Sequence, residues 1–96
     1  MDLNISENKD KKRFEVHVGD GCAFIDYIRA EDKMYLTHTE VPSEMEGNGI
    51  GSALVKHALA AIEGENRKLV PLCPFVASYI KRHPEYAHLL ADGYSV

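Results

Sequence analysis

Phe14, Val16 and Val18 alternate with Glu15 and His17, the period of two that sends successive side chains to opposite faces of a strand. The charged run at residues 8–13 (NKDKKR) before them reads as a solvated cluster. Gly19-Asp20-Gly21 tolerates the positive φ of a tight turn, and residues 22–29 (CAFIDYIR) resume with β-favouring side chains. The pattern predicts a hairpin. After a polar turn at residues 31–33, residues 34–41 (MYLTHTEV) predict a further strand. Strict alternation puts Met34, Leu36, His38 and Glu40 on one face and Tyr35, Thr37, Thr39 and Val41 on the other. Neither face is purely apolar, which fits a strand running into a functional cleft and fits a plain sheet edge equally well.

Pro42 cannot donate to a ladder and ends the strand, leaving residues 43–49 as a loop. Leu54, Val55, Ala58, Leu59 and Ile62 then recur at three- and four-residue steps, predicting a helix over residues 50–63 that Gly64 stops. Residues 69–72 are apolar and predict a buried strand parallel to residues 34–41, which completes a β-α-β unit. Pro74 loses only an orphan donor at a first helical position, so Cys73 and Pro74 read as the cap and first residue of a second helix. Its inward face carries Val76, Tyr79, Ile80 and Phe75, Lys81 and Arg82 fall in its last turn, and Pro84 ends it. Tyr86, Leu89 and Leu90 supply a final apolar clamp.

A length of 96 residues leaves room for a single domain over 1–96, without repeats or linkers. Eleven Lys and Arg against fifteen Asp and Glu give a net charge of −4, which argues against strong nucleic-acid binding. No stretch reaches the roughly 18–20 apolar residues of a membrane span, and residues 1–12 hold no apolar core for a secretory signal. A cytoplasmic protein is expected. Cys22 and Cys73 form no C-x-x-C, and no pair among His17, His38, His57, His83 and His88 has the i, i+4 spacing of a metal-binding helix. Neither a disulfide framework nor a metal site is expected.

The chemistry concentrates at Gly47-Asn48-Gly49-Ile50-Gly51-Ser52, where glycines at alternate positions lead directly into the first helix. Bare backbone lets a ligand approach closely, and the unpaired N–H groups of a first helical turn attract a phosphate or pyrophosphate. A flexible glycine-rich helix entry is the plainer reading. No Lys follows the last glycine, against a P-loop, and G-x-G-x-G in so short a chain does not meet the dinucleotide fingerprint.

Residues 41–54 and the helix behind them resemble the acyl-CoA-binding motif of the GNAT acetyltransferase superfamily, Gln/Arg-x-x-Gly-x-Gly/Ala. Gly49 and Gly51 take the small-residue positions, and Glu46 stands where Gln or Arg is usual. With His38-Thr39-Glu40-Val41-Pro42, Cys73-Pro74-Phe75-Val76 and His83-Pro84-Glu85-Tyr86, the chain resembles small single-domain GNAT-like proteins over residues 14–90. The resemblance implies a minimal α+β fold: a mixed, mainly antiparallel sheet with a β-α-β cofactor-binding unit and a second, C-terminal helix. It also implies acetyl-CoA as cosubstrate, with pyrophosphate on Gly47, Asn48, Gly49, Ile50, Gly51 and Ser52 and pantetheine paired to the strand backbone at Thr39 and Val41. The chain lacks the helical pair that larger members carry between their first two strands, so the acceptor site is open or completed by a partner.

Cys73 at a helix N-terminus sits where the dipole favours a thiolate, and the resemblance puts it near the cofactor thiol. It is a nucleophile, a wall of the site, or a buried small hydrophobe. Tyr79 matches the phenol that protonates departing CoA thiolate in larger members, and it also fits the core. His38 carries an imidazole that suits a general base or a structural hydrogen-bonding role, with Glu40 a weaker base candidate. Lys81 and Arg82 fit either a ribose phosphate or compensation of the helix dipole. The expected activity is transfer of an acetyl group from acetyl-CoA to an amine, on a small molecule or a Lys-containing protein, directly or through Cys73. The rival readings are a noncatalytic acyl-CoA-binding or sensing module and a general nucleotide-binding domain.

Overall fold

Strand alternation sets the core. In the computed structural model, which describes residues 3–96, five strands form one sheet in chain order. They are β1 (Ser6–Asn8), β2 (Arg13–Val18), β3 (Gly21–Arg29), β4 (Lys33–Glu40) and β5 (Lys68–Pro71). The first four pair antiparallel and β5 lies parallel to β4, with helix α1 (Ile50–Gly64) between them in sequence and α2 (Pro74–Arg82) following. This is the mixed α+β architecture expected. Phe14 and Val16 of β2, Ala23 and Ile25 of β3, and Met34 and Leu36 of β4 are buried with Leu54, Val55, Ala58, Leu59 and Ile62 of α1. Val76, Tyr79 and Ile80 of α2 complete the packing, and Leu89 of a closing 3₁₀ segment (Pro84–Leu89) joins them.

Four local expectations change. The charged run at residues 8–13 is solvated at residues 9–12 as expected, but it is also a hairpin: it contains the end of β1, a turn with Lys12 at φ 55°, and the start of β2. β1 has no apolar alternation to announce it, and its pairing of Ser6 with Glu15 and Asn8 with Arg13 defines it instead. β5 ends at Pro71, so Leu72 leaves the ladder and is 56% exposed. Helix α1 runs through Gly64, and the left-handed residue that ends it is Asn66 at φ 56°. Arg67 N–H donates to Ile62 C=O at 2.9 Å and Asn66 N–H to Glu63 C=O at 3.1 Å, the paired bonds of a Schellman stop. Phe75, expected inward, is 39% exposed. Residues 1 and 2 of the segment read for an export signal lie outside the described residues.

The remaining change matters for the site. Asp26 pairs with His38 but Tyr27 with Leu36, so Thr37 is an extra residue in β4. A bulge of this kind shifts the alternation by one. Beyond it Thr39, opposite buried Ile25, shares the core face with Met34 and Leu36, while His38 and Glu40 point to the other face.

Arg29 ties three elements together, bonding Glu7 of β1 at 2.5 Å and Glu65 past α1 at 2.8 Å. Arg29 holds the Glu65 carboxyl down at about 2, and Arg13 does the same for Glu15, also about 2. A carboxyl whose folded pKa is depressed stabilises the fold only while ionised. That contribution is complete above the ordinary value of 4.5 and disappears as pH falls through about 2. Urea unfolding at pH 7, 4.5 and 2.5 should therefore show a falling midpoint across the last interval. The expected loss is on the order of 1–3 kcal/mol from buried Glu15 and less from Glu65, whose side chain is 32% exposed and screened.

Candidate functional site

The parallel ladder stops where the cleft begins. β4 and β5 stay in register only from Lys33 and Lys68 to Leu36 and Pro71. Cys73 N–H then donates to Leu36 C=O at 2.9 Å, the last link across the fork. Among the described residues, no backbone hydrogen bond joins residues 37–41 to β5 or α2. A cleft of about 530 Å³ opens there, walled by Thr39 and Val41 on one side, by Gly49, Gly51 and Ser52 on another, and capped by Phe75. Its size is that of a small-molecule site.

The loop between β4 and α1 is shaped by two features. A 3₁₀ turn (Ser43–Met45) buries Met45 under the cleft, giving an otherwise polar loop an anchor. Gly49 at φ 71° then caps α1 in a left-handed conformation that side chains disfavour. Ala53 N–H donates to Gly49 C=O at 3.0 Å, so the N–H groups of Ile50, Gly51 and Ser52 precede the first helical bond. No side chain caps them. Three free donors and the positive end of the helix dipole thus face the cleft. At Gly51 a Cβ would lie 2.7 Å from Cζ of Phe75, so bare backbone permits the ring to close over the helix entry.

Cys73 is the N-cap residue by position, yet its side chain makes no bond to the helix amides. Its Sγ instead lies 3.3 Å from Oγ1 of Thr39, and the residue is 4% exposed. The expectation that the sulfur faces open amides is corrected: it sits buried behind Thr39 at the apex of the fork and does not itself line the cleft. Thr39 reaches it only because the Thr37 bulge turns it inward.

The same bulge removes His38 from the cleft. Its imidazole, 56% exposed, lies 3.4 Å from Glu40 and 6.1 Å from the Phe24 ring on the opposite sheet face. Glu40 itself reaches the rim of the cleft. Tyr79 is buried, with its ring 4.3 Å from His83 and 6.0 Å from Tyr86, and it does not line the cleft. Burial pushes its phenol pKa up. Lys81 and Arg82 are exposed at the far end of α2, about 12 Å along the axis from Cys73, and do not reach the cleft. Asn48 turns away, its amide 3.5 Å from the Met45 carbonyl. Thr39, Val41, Gly47, Gly49, Ile50, Gly51 and Ser52 do converge on it. Met45 and Phe75 were not among the expected site residues. Only the single apolar residue in a polar loop hinted at Met45, and Phe75 fits a helical core pattern equally well.

A bulged strand splays from its parallel neighbour, and a glycine-rich helix entry stands at the mouth of the cleft between them. Residues 13–89 match the GCN5-related N-acetyl-transferase family, and the chain belongs to it. A GCN5-like protein from Staphylococcus aureus, solved by NMR, has the same fold with a TM-score of 0.72 at 24% identity. The match covers 93% of this chain and 88% of that one. Family membership carries acyl transfer in general terms. Among the described residues no helix is long and apolar enough to cross a membrane.

Proposed function

We propose that the protein transfers an acetyl group from acetyl-CoA to an amine acceptor, through Cys73. What carries the reading is the fork itself: three free amides of α1 at its mouth and the Thr39–Cys73 pair at its apex, 3.3 Å apart. The amides of Ile50, Gly51 and Ser52 suit a pyrophosphate, and the unpaired β4 edge near Thr39 and Val41 suits the amides of a pantetheine arm. Acetyl-CoA, when bound, would supply an activated thioester carbonyl.

The residues at the apex favour a two-step route over direct attack. Neither His38 nor Tyr79 lines the cleft, so the direct route lacks both expected proton carriers; Cys73 does not line it either, but its sulfur stands directly behind Thr39, which does. Cys73 Sγ forms a bond to the acetyl carbon while the bond from that carbon to the CoA sulfur breaks. The thiol proton ends on the departing sulfur, with the Thr39 hydroxyl positioned to accept and return it. The amine, its ammonium proton first lost to solvent, then attacks S-acetyl-Cys73, and a second N–H proton restores the Cys73 thiol as the amide forms and the bond from the acetyl carbon to Sγ breaks. Glu40 and Glu46, both at the rim, leave the mouth of the cleft acidic, which suits an acceptor drawn from cationic amines such as a polyamine or a lysine side chain. The reading also takes the chain to be cytoplasmic, the compartment that keeps thiols reduced.

Backbone NMR during a CoA titration and CoA release from acetyl-CoA, with and without polyamine or Lys-peptide acceptors, test this together. Amide shifts at residues 49–52 and acceptor-dependent release are expected. Binding without acceptor-dependent release would turn the reading into that of an acyl-CoA sensor. Equal competition by ATP or NAD would turn it into a general nucleotide module.

A further inference from the structure

The sheet face away from α1 carries a second constellation, remote from the cleft chemistry. Phe14 packs its ring 5.2 Å from His57 of α1, so its neighbours Glu15 and His17 point to the other face. The hairpin register sets Cys22 directly across from His17. His17 Nε2 lies 3.2 Å from Oε1 of Glu15 and 3.9 Å from Sγ of Cys22, and the three donor atoms lie within 4.8 Å of one another.

We infer that Glu15, His17 and Cys22 form a binding site for a divalent zinc-type ion on the β2–β3 hairpin. The donor set of one carboxylate oxygen, one imidazole nitrogen and one thiolate sulfur is that of zinc and its borderline-soft neighbours. A tetrahedral zinc, with bonds of about 2.0 Å to N and O and about 2.3 Å to S, separates its ligand atoms by roughly 3.3–3.6 Å. The observed separations need closing by only a small side-chain adjustment. Solvent reaches the exposed imidazole and fills the fourth position with water.

Arg13 is the one cation in the cluster. It bonds the other carboxylate oxygen, Oε2 of Glu15, at 2.6 Å and comes within 3.7 Å of the Cys22 sulfur. Oε1 therefore remains for the metal, braced from behind as metal-bound carboxylates commonly are. Glu15 and the Cys22 thiolate together balance the two charges of the ion, and the Cys22 thiol proton leaves to solvent on binding. Asn8, 3.3 Å from Oε1, has only a long bond to surrender. Helical i, i+4 spacing is absent from the sequence because this set uses the strand period and a cross-strand partner instead.

Cobalt(II) and zinc titrations of the whole chain test the site. Cobalt is expected to produce a thiolate-to-metal charge-transfer band that Cys22→Ser removes and Cys73→Ser keeps. Zinc affinity, read by competition with a chromophoric chelator, should fall at least about tenfold in both Cys22→Ser and His17→Gln. In the unmutated chain, zinc should slow alkylation of Cys22 while leaving that of Cys73 unchanged. A band that depends on Cys73, equal zinc affinity in the native chain and Cys22→Ser, or unprotected Cys22 overturns the inference. Because neither thiol of the test pair is read through acyl transfer, its failure leaves the transferase reading untouched.

Discussion

Gly51→Val lowers affinity for coenzyme A by about a hundredfold, read by calorimetry, in a chain that still folds. The magnitude follows from what the substitution covers. Hydrogen bonds from amides to an anion contribute about 1.5–3 kcal/mol each, and a side chain at Gly51 keeps the ligand from approaching two of the free donors. The same side chain begins 2.7 Å from Cζ of Phe75 and drives that ring out of its place over the helix entry. Stability changes little by comparison. Valine or alanine is a better helix residue than glycine, Gly51 has an ordinary helical backbone, and the displaced ring is already partly in solvent. Gly64→Ala supplies the control: nothing lies within 4 Å of its Cβ, so it gains up to about 1 kcal/mol of stability and leaves CoA affinity unchanged. Gly49→Ala falls between, losing stability on the order of 1 kcal/mol because the cap residue sits at φ 71°. If Gly51→Val bound coenzyme A like the native chain, the α1 amides would not be the anchor.

The parts legible in the sequence are those fixed by local periodicity. The alternation Phe14-Val16, the repeats Leu54-Ala58-Ile62 and the Pro74 start signal each record one element's own geometry, and each element stands where its pattern puts it. Glycines before a helix likewise announce free amides, because both the donors and their exposure arise within a few residues. What the pattern could not carry is pairing. β1 exists through its bonds to β2, and a three-residue strand without apolar alternation leaves no trace of its own. The Thr37 bulge depends on how β4 lies against β3, and a single inserted residue exchanges the faces of everything after it. That exchange brings Thr39 to Cys73 and sends His38 to the far face, which is why the expected base and the observed partner change places. Tyr79 and Phe75 were ambiguous for a related reason: aromatic residues on one short helix suit a core and a cleft equally, and only the position of α1 decides between them.

Cys73→Ala abolishes acetylated protein and cuts acceptor-dependent turnover by about a thousandfold, with CoA affinity within a fewfold of native. Removing the nucleophile of a two-step transfer removes both steps, whereas the amides that hold the pyrophosphate are untouched. The measurement is intact mass after incubation with acetyl-CoA alone, followed by initial rates with a polyamine. Thr39→Val separates the roles, since it keeps the shape of the side chain and deletes only the hydroxyl 3.3 Å from the sulfur. Its turnover should drop about a hundredfold, the range of one positioned proton carrier, while acetylation of Cys73 slows but persists. Both variants should fold, because a methyl-sized loss at Cys73 and a hydroxyl-to-methyl change at Thr39 cost only on the order of 1 kcal/mol in a packed site. The opposite outcome is equally distinct. Direct attack by the amine predicts no acetyl mass increment in the native chain and a Cys73→Ala rate within tenfold of native. The sulfur would then be a wall of the fork, contributing shape to the thioester seat and no bond to the acetyl carbon.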